Sequence, residues 1–419
     1  MEGFKVASLT AISYLSKLLV TLFIIKQISM IHGPEGLGVL GNFMSLASMA
    51  STLGGGGILS GIIKYLAEYS GAVKRQQSFI GSSLLYTLIF SLITLLLGLF
   101  FIRSLTGYVF SNQDYRGFIC FFLFAQLLVS LNNFSYGVVN GLGKNSAYTG
   151  FLLGGNLIAI VVAFFSIKFY GMWGAVVAIM APTVFPFVPV FIYALNKRLI
   201  KRVRLDSFIG DSRLLAKFSL MRFGSAMCFP IVEIIVTNQI KVLLGLESAG
   251  FWQAITKLST AYLSFFSLFL TFYFLPLISS CYEKKRVVNE VKKMMLFLGG
   301  AFFVMIVVFS IFKSLIIRSV LSAKFLPIGD LLMLQMVGDF FRVLGWVISF
   351  VVVARAKMKL YLLGEFFQGV VFVIMSHVVL NAYLDLRGVV LTYVATCFLY
   401  CLFSVLLFLK LYVKKKMIV

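Results

Sequence analysis

Long apolar stretches separated by short polar connections run the length of the chain, and twelve of them reach about 20 residues, enough for a helix to cross a hydrocarbon core. They cover residues 6–31, 37–68, 79–102, 117–140, 146–167, 172–195, 213–240, 250–280, 294–317, 328–354, 358–383 and 387–412. The pattern predicts an all-α integral membrane protein of twelve transmembrane helices. The first stretch begins at residue 6. It is too long for a removed signal peptide and has no small-residue cleavage site behind it, so it is expected to stay in the mature protein.

The most polar connection, NKRLIKRVRLDSFIGDSRLLAK at 196–217, falls at mid-chain and divides six stretches from six. The predicted organisation is an N-terminal six-helix lobe at 1–195, a cytoplasmic connecting loop at 196–217 and a C-terminal six-helix lobe at 218–419. Faint internal similarity supports a duplication. GPEGLGVL at 33–40 matches GLESAGFW at 245–252 in Gly, Glu and Gly, 212 residues apart. GKNSAY at 143–148 matches AKMKLY at 356–361 at an offset of 213, and WGAVV at 173–177 matches RGVVL at 387–391 at 214. A repeat with an even number of spans enters and leaves on one side, so the lobes are expected to be parallel copies about an axis along the membrane normal. Transporters built this way place the substrate between the lobes. A duplicated scaffold without a transport role is the other reading.

Composition narrows the function. Hydrophobic residues make up 61% of the 419, charged residues 12%, and mean hydropathy is +1.02, which no soluble domain of this length matches. The acidic residues are too scattered for paired acid and base catalysis, and no phosphate loop provides for ATP, so neither an enzyme nor a built-in ATPase is expected. Cys120, Cys228, Cys281, Cys397 and Cys401 are odd in number, lie in or at the ends of spans, and read as apolar filler. With two histidines in the chain, a metal site lacks ligands, and no metal or cofactor is expected.

The net charge of +23 raises nucleic acid as a partner until its distribution is considered. With the N-terminus in the cytoplasm, 23 of the 37 basic residues fall on that side and 8 on the other. The positive-inside rule therefore places both termini in the cytoplasm, and the basic excess faces an anionic leaflet rather than nucleic acid.

Six basic residues remain within spans: Lys17, Lys26, Lys64, Arg222, Lys257 and Arg342. Facing lipid at mid-span, each would cost about 2.5 to 3.5 kcal/mol, so they are expected to line a wet cavity. The acidic counterparts within spans are Glu233, Asp339 and Glu365, with Glu68 at a cytoplasmic end. Lys64 with Glu68, and Asp339 with Arg342, have helical spacing for pairing. Thr10, Ser13, Tyr14, Lys17 and Thr21 form one polar stripe, with Lys26 on another face nearer the outer interface. Arg222 and Glu233 are expected to share a face across a kink at Pro230, and Pro182, Pro186 and Pro189 to bend span 6. A cavity with surplus positive charge suits an anion, phosphate above all. The competing reading of each residue is an ion pair that fastens helices together.

Span 2 contains Gly54, Gly55, Gly56 and Gly57, then Gly61. In water each glycine weakens a helix by about 0.8 to 1.0 kcal/mol relative to alanine. In lipid the backbone must stay bonded, so the helix is expected to persist and bend. Gly54, Gly57 and Gly61 also permit close helix packing. The matching positions of the second half are FSLF, 266–269, so softening is expected in the first half alone. That favours a hinge, with Lys64 and Glu68 on its moving cytoplasmic end.

Together, HGPEGLGVLGNF after span 1, GGGGILSGIIKYLAEY in span 2, AGFWQAITKLSTAYL and FLPLISS in span 8, and LQMVGDFFRVLGW followed by ARAKMKLYLLGEFFQ resemble the Wzx translocases. These are O-antigen and enterobacterial common antigen flippases of the multidrug/oligosaccharidyl-lipid/polysaccharide exporter superfamily, and the likeness runs over the whole chain, closest to the common antigen type. The resemblance implies a substrate of undecaprenyl-diphosphate-linked oligosaccharide, moved from the cytoplasmic to the periplasmic leaflet of a Gram-negative inner membrane. Polysaccharide polymerase and chain-length proteins are candidate partners. By position, Lys17, Lys26, Arg222, Lys257 and Arg342 are the candidates for the cationic cavity of that family. Glu233, Asp339 and Glu365 are candidates for ion coupling, or for fixing helix pairs. An ion-coupled multidrug exporter of the same superfamily is the alternative, and the basic surplus argues against it because such exporters favour acidic cavities.

Overall fold

The computed structural model describes residues 2–110, 112–196, 208–281, 283–355 and 357–413, and among them every regular element is helical. In chain order the α-helices are α1 (Glu2–Ile31), α2 (Gly33–Leu53), α3 (Leu59–Glu68), α4 (Val73–Phe100), α5 (Ile102–Phe110), α6 (Arg116–Gly141) and α7 (Asn145–Val184). They continue as α8 (Phe187–Asn196), α9 (Phe208–Phe269), α10 (Leu275–Ser280), α11 (Lys284–Val320), α12 (Gly329–Ala354), α13 (Met358–Tyr383) and α14 (Leu386–Phe408). Ten helical stretches among the described residues are long and apolar enough to cross a membrane. Two of these, Asn145–Leu195 with 51 residues and Phe208–Ser280 with 73, are each long enough for two crossings. Each reverses direction at one glycine, Gly171 (φ 55°, ψ −128°) and Gly245 (φ 84°, ψ 176°). The architecture therefore agrees with the twelve spans read from the hydropathy pattern.

Two compact units form. The first takes in residues 1–32 and 39–230, the second 33–38 and 231–419. In the first unit α6 is the central post, packed against α3, α4, α7 and α8, while α1 runs along α7. Small residues make the contacts close: a Cβ on Gly137 would stand 2.9 Å from Ile62, and one on Gly141 2.8 Å from Leu66. Without a hydrophobic force between helices in lipid, such close backbone approach supplies the dispersion that holds them together. Of the polar stretch expected to connect the lobes, 197–207 lie outside the described residues, and from Phe208 the chain is already helical. Its first turn is anchored to the first unit by a forked ion pair, Arg75 Nη2 to Asp211 Oδ1 at 2.5 Å and Nη1 to Oδ2 at 3.2 Å.

In the second unit α12 is central, packed along α14 and against α10, α11 and α13. Gly338 and Gly345, seven apart on α12, receive the rings of Tyr393 and Tyr400, seven apart on α14; added Cβ atoms would lie 2.9 and 2.7 Å from those rings. A seven-residue spacing returns a helix to nearly the same face, so the two tyrosines enter two matching sockets.

The repeated motif read from the sequence has a structural counterpart inside the second unit. Gly33 and Gly245, which open the two copies, both adopt left-handed backbone, φ 64° and 84°. A Cβ on Gly38 would lie 2.1 Å from the Leu246 carbonyl oxygen, and one on Gly250 1.9 Å from that of Pro34. Pro34 and Leu246 are themselves equivalent positions. Each copy thus rests its second glycine on the first turn of the other.

Alanine at Gly38 or Gly250 should lower the thermal unfolding midpoint of the purified protein in detergent, at a cost of about 1 to 3 kcal/mol or more from overpacking against backbone that cannot rotate away. Gly150, with no atom within 4 Å of an added Cβ, is the control. A Gly38→Ala protein as stable as Gly150→Ala would remove the constraint assigned to the motif.

Candidate functional site

The glycine run in span 2 breaks the helix. Gly55, Gly56 and Gly57 have φ of 71°, 88° and 66°, values that L side chains rarely adopt, and α2 and α3 are separate helices on either side. This corrects the expectation of a continuous helix that bends. The carbonyls released by the break are met from α6: Asn133 Nδ2 donates to the Ser51 oxygen at 3.0 Å and the Gly54 oxygen at 3.3 Å. Its neighbour Asn132 serves the proline break of span 6, donating to the Thr183 oxygen at 2.7 Å and the Val184 oxygen at 3.2 Å, where the helix stops before Pro186. The second half is not regular either. Span 8 widens into a π-type turn at Leu270–Phe274, so irregularity is not confined to the first half as expected.

The same glycines bring candidate residues together within the first unit. Arg222 packs over Gly57, its Cγ 3.1 Å from where a Cβ would stand, and Phe218 covers Gly61 at 3.1 Å. Lys64 extends over the rings of Tyr65 (4.9 Å) and Phe218 (5.7 Å), a cation–π arrangement. No ion pair joins Lys64 to Glu68 among the described residues, and both are exposed. The expected pairing is therefore replaced by stacking on aromatic faces. Lys17 and Lys26 are half-buried on α1, where Thr21 Oγ1 donates to the Lys17 carbonyl and Ser29 Oγ to that of Lys26. Of the expected polar stripe, Tyr14 and Thr21 are exposed, Ser13 is buried, and the Thr10 side chain lies outside the described residues. Thus the first unit carries Lys17, Lys26, Lys64 and Arg222 within its spans, with Glu68 at a span end and Asp211, held by Arg75, in the first turn of α9.

The second unit is balanced differently. Lys257 Nζ donates to Glu233 Oε1 at 2.6 Å, with the side chains 16% and 7% exposed. Glu233 therefore has its partner in Lys257. Helical spacing along one helix does not include this partner: Gly245 folds the chain back, and Glu233 and Lys257 each stand twelve residues from it. Gln253 and Thr237, each eight residues from the same glycine, are bonded in the same way at 2.8 Å.

Asp339 is fully buried and accepts three hydroxyl hydrogens, from Ser259 (2.6 Å), Tyr262 (2.5 Å) and Tyr393 (2.6 Å). Arg342 Nη1 donates to the Tyr393 oxygen at 3.0 Å, so that tyrosine bridges Arg342 and Asp339. Tyr400, the second socketed ring, donates to Glu365 at 3.4 Å and shares a 2.6 Å hydrogen bond with Ser349. The polar chemistry of this unit is thus a fastened network of two cations, three carboxylates and several hydroxyls. Asn132, Asn133, Tyr262, Tyr393 and Tyr400 are absent from the sequence-based site. Uncharged polar groups in apolar spans, Asn-Asn in span 4 above all, were the available signal.

The Lys257–Glu233 pair is testable by a double-mutant cycle on thermal stability. Lys257→Met alone should cost about 3 kcal/mol by leaving a buried carboxylate unpaired, and adding Glu233→Gln should recover much of it. Additive losses would mean that the two side chains are independent.

Comparisons with known proteins fit this geometry. The chain is 27% identical over 398 residues, 94% of its own length and 95% of the relative's, to the lipid III flippase of Escherichia coli (strain K12), and equally so to that of Shigella flexneri. Its fold resembles an inward-facing multidrug resistance MATE family transporter of the MOP superfamily, with a TM-score of 0.82 at 15% identity over 94% of both chains. It also resembles the lipid II flippase MurJ in an inward closed conformation, with a TM-score of 0.72 at 16% identity over 96% of this chain and 87% of the other. Residues 4–282 match the polysaccharide biosynthesis protein family. With two-thirds of its length matched, this multi-pass membrane protein belongs to the polysaccharide biosynthesis protein family.

Proposed function

We propose that the protein is a flippase that moves undecaprenyl-diphosphate-linked oligosaccharide repeat units, of O-antigen, enterobacterial common antigen or a related surface glycan, from the cytoplasmic to the periplasmic leaflet of a bacterial inner membrane. The observation that carries this reading is the near full-length similarity to lipid III flippases. The fold alone does not separate this role from multidrug export, because transporters of that class share it. Charge favours the flippase reading. The first unit has four basic residues in its spans, and lysine and arginine both bind phosphate oxygens.

On this reading Lys17, Lys26, Lys64 and Arg222 receive the diphosphate. Lys257 and Arg342, engaged by Glu233 and Tyr393, hold their helices and enter the site only if those partners release them. Glu233, Asp339 and Glu365 of the second unit are the candidates for ion coupling, or fix helix pairs. Both termini lie in the cytoplasm by the positive-inside rule. Polymerase and chain-length proteins act on the product.

The decisive assay is the surface-glycan ladder and the pool of lipid-linked repeat units in a host lacking the gene, with and without its return. Loss of the ladder, with single units held on the cytoplasmic leaflet, is the expected result; a normal ladder would oppose it. In the same assay Lys17→Ala or Arg222→Ala should cut transport about tenfold or more, the worth of a charge-assisted hydrogen bond. Lys168→Ala, which removes a lysine stacked over Phe164 and Phe169, should have little effect. Equal losses would end the anion-site assignment.

The break at Gly54 to Gly57 is proposed as the hinge of this cycle. Alanine at these positions should abolish transport, and unchanged transport at normal expression would return the glycines to packing alone.

A further inference from the structure

A cleft of about 170 Å³ in the first unit involves none of the charged residues assigned above. Its floor is α6, through Ser135, Val138 and Val139; Ile80 and Leu84 of α4 form one wall and Val190 of α8 the other. Two polar side chains at its edge give their hydrogens to backbone: Gln76 Nε2 donates to the Leu66 carbonyl at 3.1 Å and Ser135 Oγ to that of Leu131 at 2.8 Å. What remains facing the cleft is mostly hydrocarbon. Gln77 and the Tyr193 hydroxyl add polar groups to a lining that is otherwise Val, Ile, Leu, Phe and Ala, so a hydrocarbon chain fits it better than a polar solute does.

The rim has the opposite character. Near this end of the unit α4 begins at Val73, α6 ends at Gly141, α7 begins at Asn145 and α8 ends at Asn196. Lys74 and Lys144 are exposed there. No carboxylate occurs between Tyr69 and Gln113 or between Tyr115 and Leu205. Of the carboxylates at the cytoplasmic end of the unit, Asp211 is held by Arg75 and Glu68 is exposed at the end of α3, outside the residues that line the cleft. An apolar shaft under a cationic rim, on the side that the positive-inside rule gives to the anionic leaflet, matches one kind of occupant: a hydrocarbon chain with a negatively charged head.

We propose that the cleft is a binding site for an anionic phospholipid of the cytoplasmic leaflet, one acyl chain lying along α6 and the phosphate at Lys74 and Lys144. The site is separate from the proposed diphosphate residues, and it holds bilayer lipid rather than transported substrate. A chain wedged between α4 and α8 would brace both against α6, the helix whose asparagines support the two helix breaks.

The test is native mass spectrometry of the full-length protein released from micelles containing phosphatidylglycerol, phosphatidylcholine or undecaprenyl phosphate. One phosphatidylglycerol should be retained under activation that strips phosphatidylcholine. Lys74→Gln combined with Lys144→Gln, which leaves the packing untouched, should weaken that retention about thirtyfold, given the attraction of each basic residue to an anionic surface. Ser135→Phe, filling the cleft, should abolish it. Equal retention of the zwitterionic lipid, preference for undecaprenyl phosphate, or retention unchanged in both variants would overturn the proposal.

Discussion

A carbonyl released by a broken helix inside a bilayer has no water to turn to, and this fold depends on how that demand is met. Spans 2 and 6 are both broken, one by glycines and one by proline, and both breaks lean on α6. Asn132 and Asn133 are adjacent there, so their side chains diverge by about 100° around the helix and serve different neighbours. Each amide meets two carbonyls. An unmet buried polar group costs about 1 to 3 kcal/mol, and more in hydrocarbon. Four such groups rest on two consecutive residues. The non-helical backbone needed near Arg222 and Lys64 is therefore tolerated only because a third helix presents amides at the right height.

The two units handle charge in different ways. In the second, Lys257 is engaged by Glu233 and Arg342 by Tyr393. In the first, four in-span cations occur with Glu68 at a span end and Asp211 already held by Arg75, and the contacts resolved for Lys64 are aromatic faces. Aromatic rings hold a cation without neutralising it. Held in this way Lys64 keeps its charge, whereas Lys257 and Arg342 are engaged in holding helices together.

Much of this was legible in the sequence, for reasons that differ from residue to residue. Twelve spans followed from apolar run length, since a bilayer sets the length directly. The paired Gly-x-Glu-x-x-Gly motifs followed from a constant offset, and their close packing explains why glycine stands at both second positions. The glycine run was visible as an anomaly, but its backbone was not, because glycine tolerates a smooth bend and a left-handed break equally well. The partner of Glu233 went unseen because helical periodicity sees only neighbours along one straight helix. Reflection about Gly245 would have paired it with Lys257, and Thr237 with Gln253. The tyrosines of α14 escaped notice because a tyrosine in an apolar span looks like packing until the carboxylate at its hydroxyl is known.

The reciprocal contact of Gly38 and Gly250 also sets an order of events during synthesis. The second copy of the motif leaves the ribosome 212 residues after the first, a delay of roughly 10 to 40 s at ordinary elongation rates. Throughout it, span 2 must reside in the membrane with its glycine notch unfilled, and its neighbours on that side are lipid tails or insertion machinery. A notch that lets two backbones meet is open to any helix that presents a smooth face, so the seam stays exposed until its second half is made. Closure of this contact is therefore a late event in synthesis.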